Sequence, residues 1–136
     1  MFMLGFPLLL VPFAIYNIIA FLMPGVSWTS SLITIHMQSG ADCSLSPGDI
    51  LITFAILMLF GEVMKSTRIG VRTVVDHALS LILFLGMLVE FILVKQAASA
   101  TFFLLLVISF IDVLSGFAVT LRTAQRDVTV EGIVSS

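Results

Sequence analysis

Residues 104–121 read LLLVISFIDVLSGFAVTL, and Asp112 is the one charged residue among them. A bilayer core about 30 Å thick is crossed by about 20 apolar residues in a helix that rises about 1.5 Å per residue. This stretch is long enough, and it has no polar side to turn toward water. The rest of the chain agrees with it. Of 136 residues, 60% are hydrophobic and only 10% are charged, and the mean hydropathy is +1.22. A soluble domain carries about a quarter charged residues. So few charges cannot cover a water-facing surface, so the chain reads as an integral membrane protein with a single domain, 1–136.

Working outward from that stretch, four spans are expected, at 6–23, 50–66, 74–94 and 101–121. Between them lie an outer loop, 24–49, and the short turn KQAASA. A polar tail, 122–136, follows. Pro24-Gly25 closes the first span. Ser46-Pro47-Gly48-Asp49 precedes the second, and Asp49 is expected as its N-cap. Pro7 and Pro12 could kink the first span, because proline lacks the backbone donor. The N-terminus lacks the basic residues and A-x-A site of a secretory leader, so it reads as a retained span. In the outer loop, Ile33, Ile35 and Met37 alternate with Thr34, His36 and Gln38. Period two indicates a strand. QSGAD then reads as a turn and CSLS as a return strand. The expected fold is an all-α membrane protein: a four-transmembrane-helix bundle with a short β-hairpin in the first outer loop. The tail should extend the fourth helix by a turn or two and then fray.

Charge placement sets the expected orientation. Lys65, Arg68 and Arg72 lie between spans two and three, and Arg122 and Arg126 follow span four. Lys95 alone lies on the other side. The positive-inside rule then puts both termini in the cytoplasm, with 24–49 outside and Trp28 as an interfacial anchor.

A carboxylate inside a span costs several kcal/mol to insert, which makes it a functional candidate. Asp112 is the most central, about 16 Å from either face by helical rise. Ser109, Asp112, Gly116 and Thr120 recur every three or four residues and share one face. Asn17, beside Tyr16, is expected at the same depth on span one. The simplest reading is an intramembrane clasp of a neutral Asp112 with Asn17, Tyr16 and Ser109 close by. The alternative is a proton- or cation-coupled site at Asp112. Glu62 lies near the cytoplasmic end, where Lys65, Arg68, Arg72 and His77 could form an ion-pair cluster with it. Glu90 lies near the outer end with Lys95 close by, a snorkelling or paired carboxylate. Asp76, Ser80, Leu83, Met87 and Glu90 form one stripe on span three, which reads as a packing face with wet ends.

Other chemistry is not indicated. The sole cysteine, Cys43, excludes an intramolecular disulfide and a redox pair. His36, Asp42 and Cys43 lack a fourth ligand and a metal spacing. The two histidines fall on opposite sides, which disfavours a haem between them. No nucleophile elbow, zincin motif or phosphate loop occurs, and there is no basic face for nucleic acid. The chain is therefore expected to be no enzyme and to need no cofactor or metal.

LLLVPFAIYNIIAFLMPGVSW, RTVVDHALSLILFLGMLVEFILVKQAA and FIDVLSGFAVTLRTAQRDV together resemble a group of short four-span inner-membrane proteins of bacteria. That resemblance covers most of the chain. It implies four spans and a multi-pass place in the bacterial inner (plasma) membrane, and no particular activity. Small multidrug exporters are of similar size, but their membrane-buried glutamate falls where this chain has Asn17. Four-span disulfide-forming enzymes need cysteine pairs. The expected role is an oligomeric or accessory subunit, partnered by the lipid bilayer and by copies of itself or other membrane subunits. Ser109 and Gly116 are the expected close-packing face. A small oligomeric proton- or cation-coupled transporter or channel is the alternative.

Overall fold

The computed structural model describes the backbone of residues 7–66 and 71–135, and the side chains of 7–64, 74–118 and 121. Among these residues the chain is mostly helical. It has four α-helices: α1 (Leu10–Leu22), α2 (Pro47–Ser66), α3 (Val71–Leu93) and α4 (Ala100–Ser135). A single 3-10 turn, Lys95–Ala97, joins α3 to α4. Two antiparallel strands, β1 (Ile33–His36) and β2 (Asp42–Leu45), form the hairpin between α1 and α2. Three helices are long and apolar enough to cross a membrane, over Pro47–Met64, Val74–Leu93 and Ala100–Ala118.

The ends of the elements follow local chemistry. In α1, Pro12 sits in the first turn. There its missing N–H was in any case without an intrahelical partner, so no kink arises from it. At 13 residues, α1 is shorter than the expected span of 6–23, of which residue 6 lies outside the described ones. The start of α2 corrects the expected cap. Asp49 is not the N-cap but stands three residues inside it. Ser46 Oγ accepts the Asp49 N–H at 3.1 Å, and Asp49 Oδ2 accepts the Ser46 N–H at 3.0 Å. This is a reciprocal capping box, with Pro47 at the first helical position where proline is favoured. Ser99 caps α4 likewise, its Oγ accepting the Phe102 N–H at 3.1 Å.

The hairpin forms where period two placed it. Its turn is closed by Met37 N–H to Ala41 O, 2.8 Å. Gly40 takes φ +91°, a conformation open chiefly to glycine. The tail differs from expectation: α4 continues as helix to Ser135. A helix of 36 residues is about 54 Å long, well beyond a bilayer core.

The central element is α4, which packs chiefly against α2 and α3, with α1 alongside. Tyr16, Phe102, Met87, Leu105 and Ala55 fill the core. Phe91 stacks on Phe102 and Phe84 meets Phe110, so α3 and α4 run antiparallel. The stripe Asp76, Ser80, Leu83 and Met87 is the buried face of α3. Its oily middle is as expected, but its Asp76 end is buried and not wet.

Candidate functional site

Two polar clusters lie inside the bundle, one at the hairpin end and one in the opposite half.

The first is built on Tyr16, which is fully buried. Its ring stacks on Trp28 at 4.6 Å and meets Phe102 edge-on at 4.9 Å. Trp28 is thus held against Tyr16 and is half-buried. The Tyr16 hydroxyl donates to the Gln96 carbonyl at 2.9 Å and lies 2.7 Å from Ser99 Oγ. With the tyrosine proton committed to Gln96, the Ser99 hydroxyl donates to the tyrosine oxygen. One side chain of α1 therefore ties down the α3–α4 turn and the N-cap of α4. Gly48 completes this end. Its N–H donates to the Trp28 carbonyl at 3.1 Å. A Cβ there would meet Thr101 Oγ1 and stand 2.8 Å from Trp28 O.

Asn17, one residue on, donates to Phe13 O at 3.1 Å, and its side chain faces the Glu90 carboxylate. Asp112 and Asn17 are not brought together. Tyr16 and Phe13 pack on Phe102, while Asp112 lies ten residues further along α4, about 15 Å by helical rise. The expected depth of Asn17 was counted from chain positions. The aromatic contacts place α1 further toward the hairpin end than that count allows. Lys95 begins the 3-10 turn and is exposed, and among the described residues no ion pair joins it to Glu90.

The second cluster lies in the other half. Glu62, Asp76 and Asp112 are buried, one each on α2, α3 and α4. Glu62 Oε1 accepts the Leu8 N–H at the start of α1. A carboxylate thus satisfies the backbone donor just before the N-cap, Leu9, on the side of the helix end where negative charge is favoured. Depth follows from register. Gly48 abuts Thr101, so α2 and α4 descend together and Glu62 and Asp112 differ by about 4.5 Å along the axis. The His77 ring lies over Gly116, where a Cβ would come within 2.6 Å of its Cε1. This puts Asp76 about a turn further along than Asp112. Asp76 Oδ1, His77 Nε2 and Ser109 Oγ are buried with no hydrogen-bond partner among the described residues. The expected cluster of Glu62 with Lys65, Arg68, Arg72 and His77 cannot be followed through, because the side chains of Lys65, Arg68 and Arg72 lie outside the described residues.

The face of Ser109, Asp112 and Gly116 does support close packing, but within the chain. All three are buried, with Gly116 under His77. That face is not open to another subunit. In the hairpin, His36 Nδ1 lies 2.8 Å from Asp42 Oδ1, and Cys43 is exposed.

Sequence reasoning missed Tyr16 as the organising residue, and it missed Gly48. Ser99, set before the apolar run ATFFLLL, was a legible helix-start signal. Nothing in the sequence paired His77 with Gly116, since they are 39 positions apart. Searches of protein-family models, curated proteins and solved structures found no match to the chain.

Proposed function

We propose that the chain is a non-enzymatic integral membrane protein that crosses a bacterial inner membrane four times and serves as an oligomeric or accessory subunit. The fourth crossing is α1. Leu8, just before it, is bonded to Glu62, and Tyr16 within it is bonded to Gln96 and Ser99, so α1 and the residues leading into it connect the two polar clusters of the bundle. The observation that carries the subunit reading is the uncovered apolar surface of α2 and α3. Phe60, Ile82, Ile92 and Leu93 are each more than 60% exposed. Gly86 stands among them on α3, with nothing within 4 Å of a Cβ placed there. Exposed glycine on a membrane helix lets a second helix approach closely, and lipid alone does not call for it. The test is native mass in lipid nanodiscs, for the wild type and Gly86→Leu. The expected result is an oligomer or a defined hetero-complex that Gly86→Leu weakens. A wild-type monomer without partners would overturn the reading.

A second reading is favoured by one observation, the three carboxylates Glu62, Asp76 and Asp112 buried on three neighbouring helices. Such groups mark proton or ion pathways in membrane proteins. Under this reading the chain is a small oligomeric proton- or cation-coupled transporter or channel, with Asp112 as the titrating group. Asp112→Asn keeps shape and hydrogen-bonding capacity but cannot exchange a proton. If the purified protein carries proton flux in liposomes, and Asp112→Asn assembles normally but abolishes that flux, the transporter reading replaces the subunit reading. If purified wild type carries none, the transporter reading falls.

A further inference from the structure

The hairpin has two chemically different faces. Side chains directly opposite in an antiparallel pair lie on the same face. The register Ile33↔Leu45 and Ile35↔Cys43 therefore makes one face apolar, while Thr34↔Ser44 and His36↔Asp42 make the other polar. Among the described residues this apolar face is left largely open: Ile33 and Ile35 are 47% and 45% exposed, and Leu45 is half-buried. Asp42 is the one Asp, Glu, Lys or Arg between residues 24 and 48. Its charge sits on the polar face, against His36.

The hairpin is also tethered. Leu32 N–H to Leu45 O, 2.7 Å, closes the base of the hairpin, and Gly48 N–H to Trp28 O, 3.1 Å, bonds the start of α2 to the loop that leads into the hairpin. Leu32, which leads into β1, lines an apolar groove of about 260 Å³ with Ile15, Ile19, Ile50 and Phe54. The uncovered apolar surface thus continues from the helices to the foot of the hairpin.

We propose that this hairpin is a membrane-surface element, which lays its Ile33, Ile35 and Leu45 face into the headgroup and upper acyl region of the bilayer. The proposal rests on the membrane reading above. Size decides between lipid and a second copy of the chain. Two four-residue strands cover a patch of the order of 13 Å by 10 Å. A stable protein interface needs about 800 Å² from each partner. Lipid asks for no minimum area and no matching shape, and an amphipathic element takes up a depth of about 5–10 Å in it.

Cys43, the chain's single cysteine and exposed on the apolar face, is a ready attachment point for an environment-sensitive fluorophore. The comparison is Thr34→Cys in a Cys43→Ser background, which carries the same dye on the polar face. Both proteins are reconstituted into phosphatidylcholine vesicles, and incorporation is checked by flotation and circular dichroism. The dye at 43 should emit to the blue and be quenched about threefold more strongly by shallow spin-labelled phosphatidylcholine than the dye at 34. The dye at 34 should be the one quenched by aqueous iodide. Protein that floats but shows equal quenching at both positions would overturn the hairpin proposal alone. So would shielding at 43 that grows with protein density and ignores the lipid quencher, because a second copy would then be the cover. Protein that does not float with the vesicles would take the membrane reading down as well.

Discussion

Tyr16 gathers two hydrogen bonds and two ring contacts on one side chain. It joins α1, the Trp28 loop, the α3–α4 turn and Phe102. Removing only its hydroxyl leaves the Gln96 carbonyl and Ser99 short of a partner, while the ring stays packed. Tyr16→Phe should therefore cost about 1 kcal/mol. Tyr16→Ala also opens a cavity between Trp28 and Phe102, and should cost about 3–5 kcal/mol. Reversible unfolding by SDS in mixed micelles measures both, and equal losses would show that the ring is not the packed element. Gly48 offers a second residue-scale test. Its neighbours are a helix side chain and a backbone carbonyl, and the carbonyl can yield only if the loop moves. Gly48→Ala should cost about 1–3 kcal/mol, as overpacking does. Gly25→Ala, with nothing within 4 Å, serves as the control in the same assay. Similar melting of the two variants would refute the close approach of Trp28 and Thr101.

Among the elements, α2 owes its start to two side chains. The Ser46–Asp49 box satisfies two backbone donors at once. Ser46→Ala removes the Oγ acceptor and should destabilise the helix start by about 1 kcal/mol. Hydrogen exchange should show the loss at Gly48 to Ile50, with the middle of α2 unchanged. Exchange that rises along the whole helix would mean that the box holds the bundle and not merely the end. α4 depends less on its ends. It is gripped by α2 and α3 from Thr101 to Gly116, and that grip leaves its small-residue face closed to partners.

The whole molecule has its hairpin at one end and, at the other, the end of α2 and the start of α3, where the sequence carries Lys65, Arg68 and Arg72. Two more basic residues follow in the last part of α4. Under the membrane reading proposed above, the positive-inside rule would place the hairpin outside. A membrane-impermeant thiol reagent should label Cys43 in intact spheroplasts, and a C-terminal reporter should be active only in the cytoplasm. The opposite pattern would invert the molecule while leaving the fold untouched.

Composition and periodicity by themselves determined the positions of the long helices, the apolar character that lets three of them cross a membrane, and the hairpin. These depend on properties that neighbours in sequence carry together: runs of apolar residues, alternation between Ile33 and Met37, and the proline and glycine that stop a helix. The group of polar residues around Asp112 was legible only as a set of residues on one face of one helix. Its partners were settled in three dimensions, because axial register between helices is fixed by a few packed rings and not by counting from chain positions. Phe13 and Tyr16 against Phe102 moved Asn17 to Glu90. Gly48 against Thr101 set Glu62 near the depth of Asp112, and His77 over Gly116 brought Asp76 close to them. Long-range packing of that kind leaves no period in the sequence, so the similar depth of three buried carboxylates on three helices was settled only when the bundle closed.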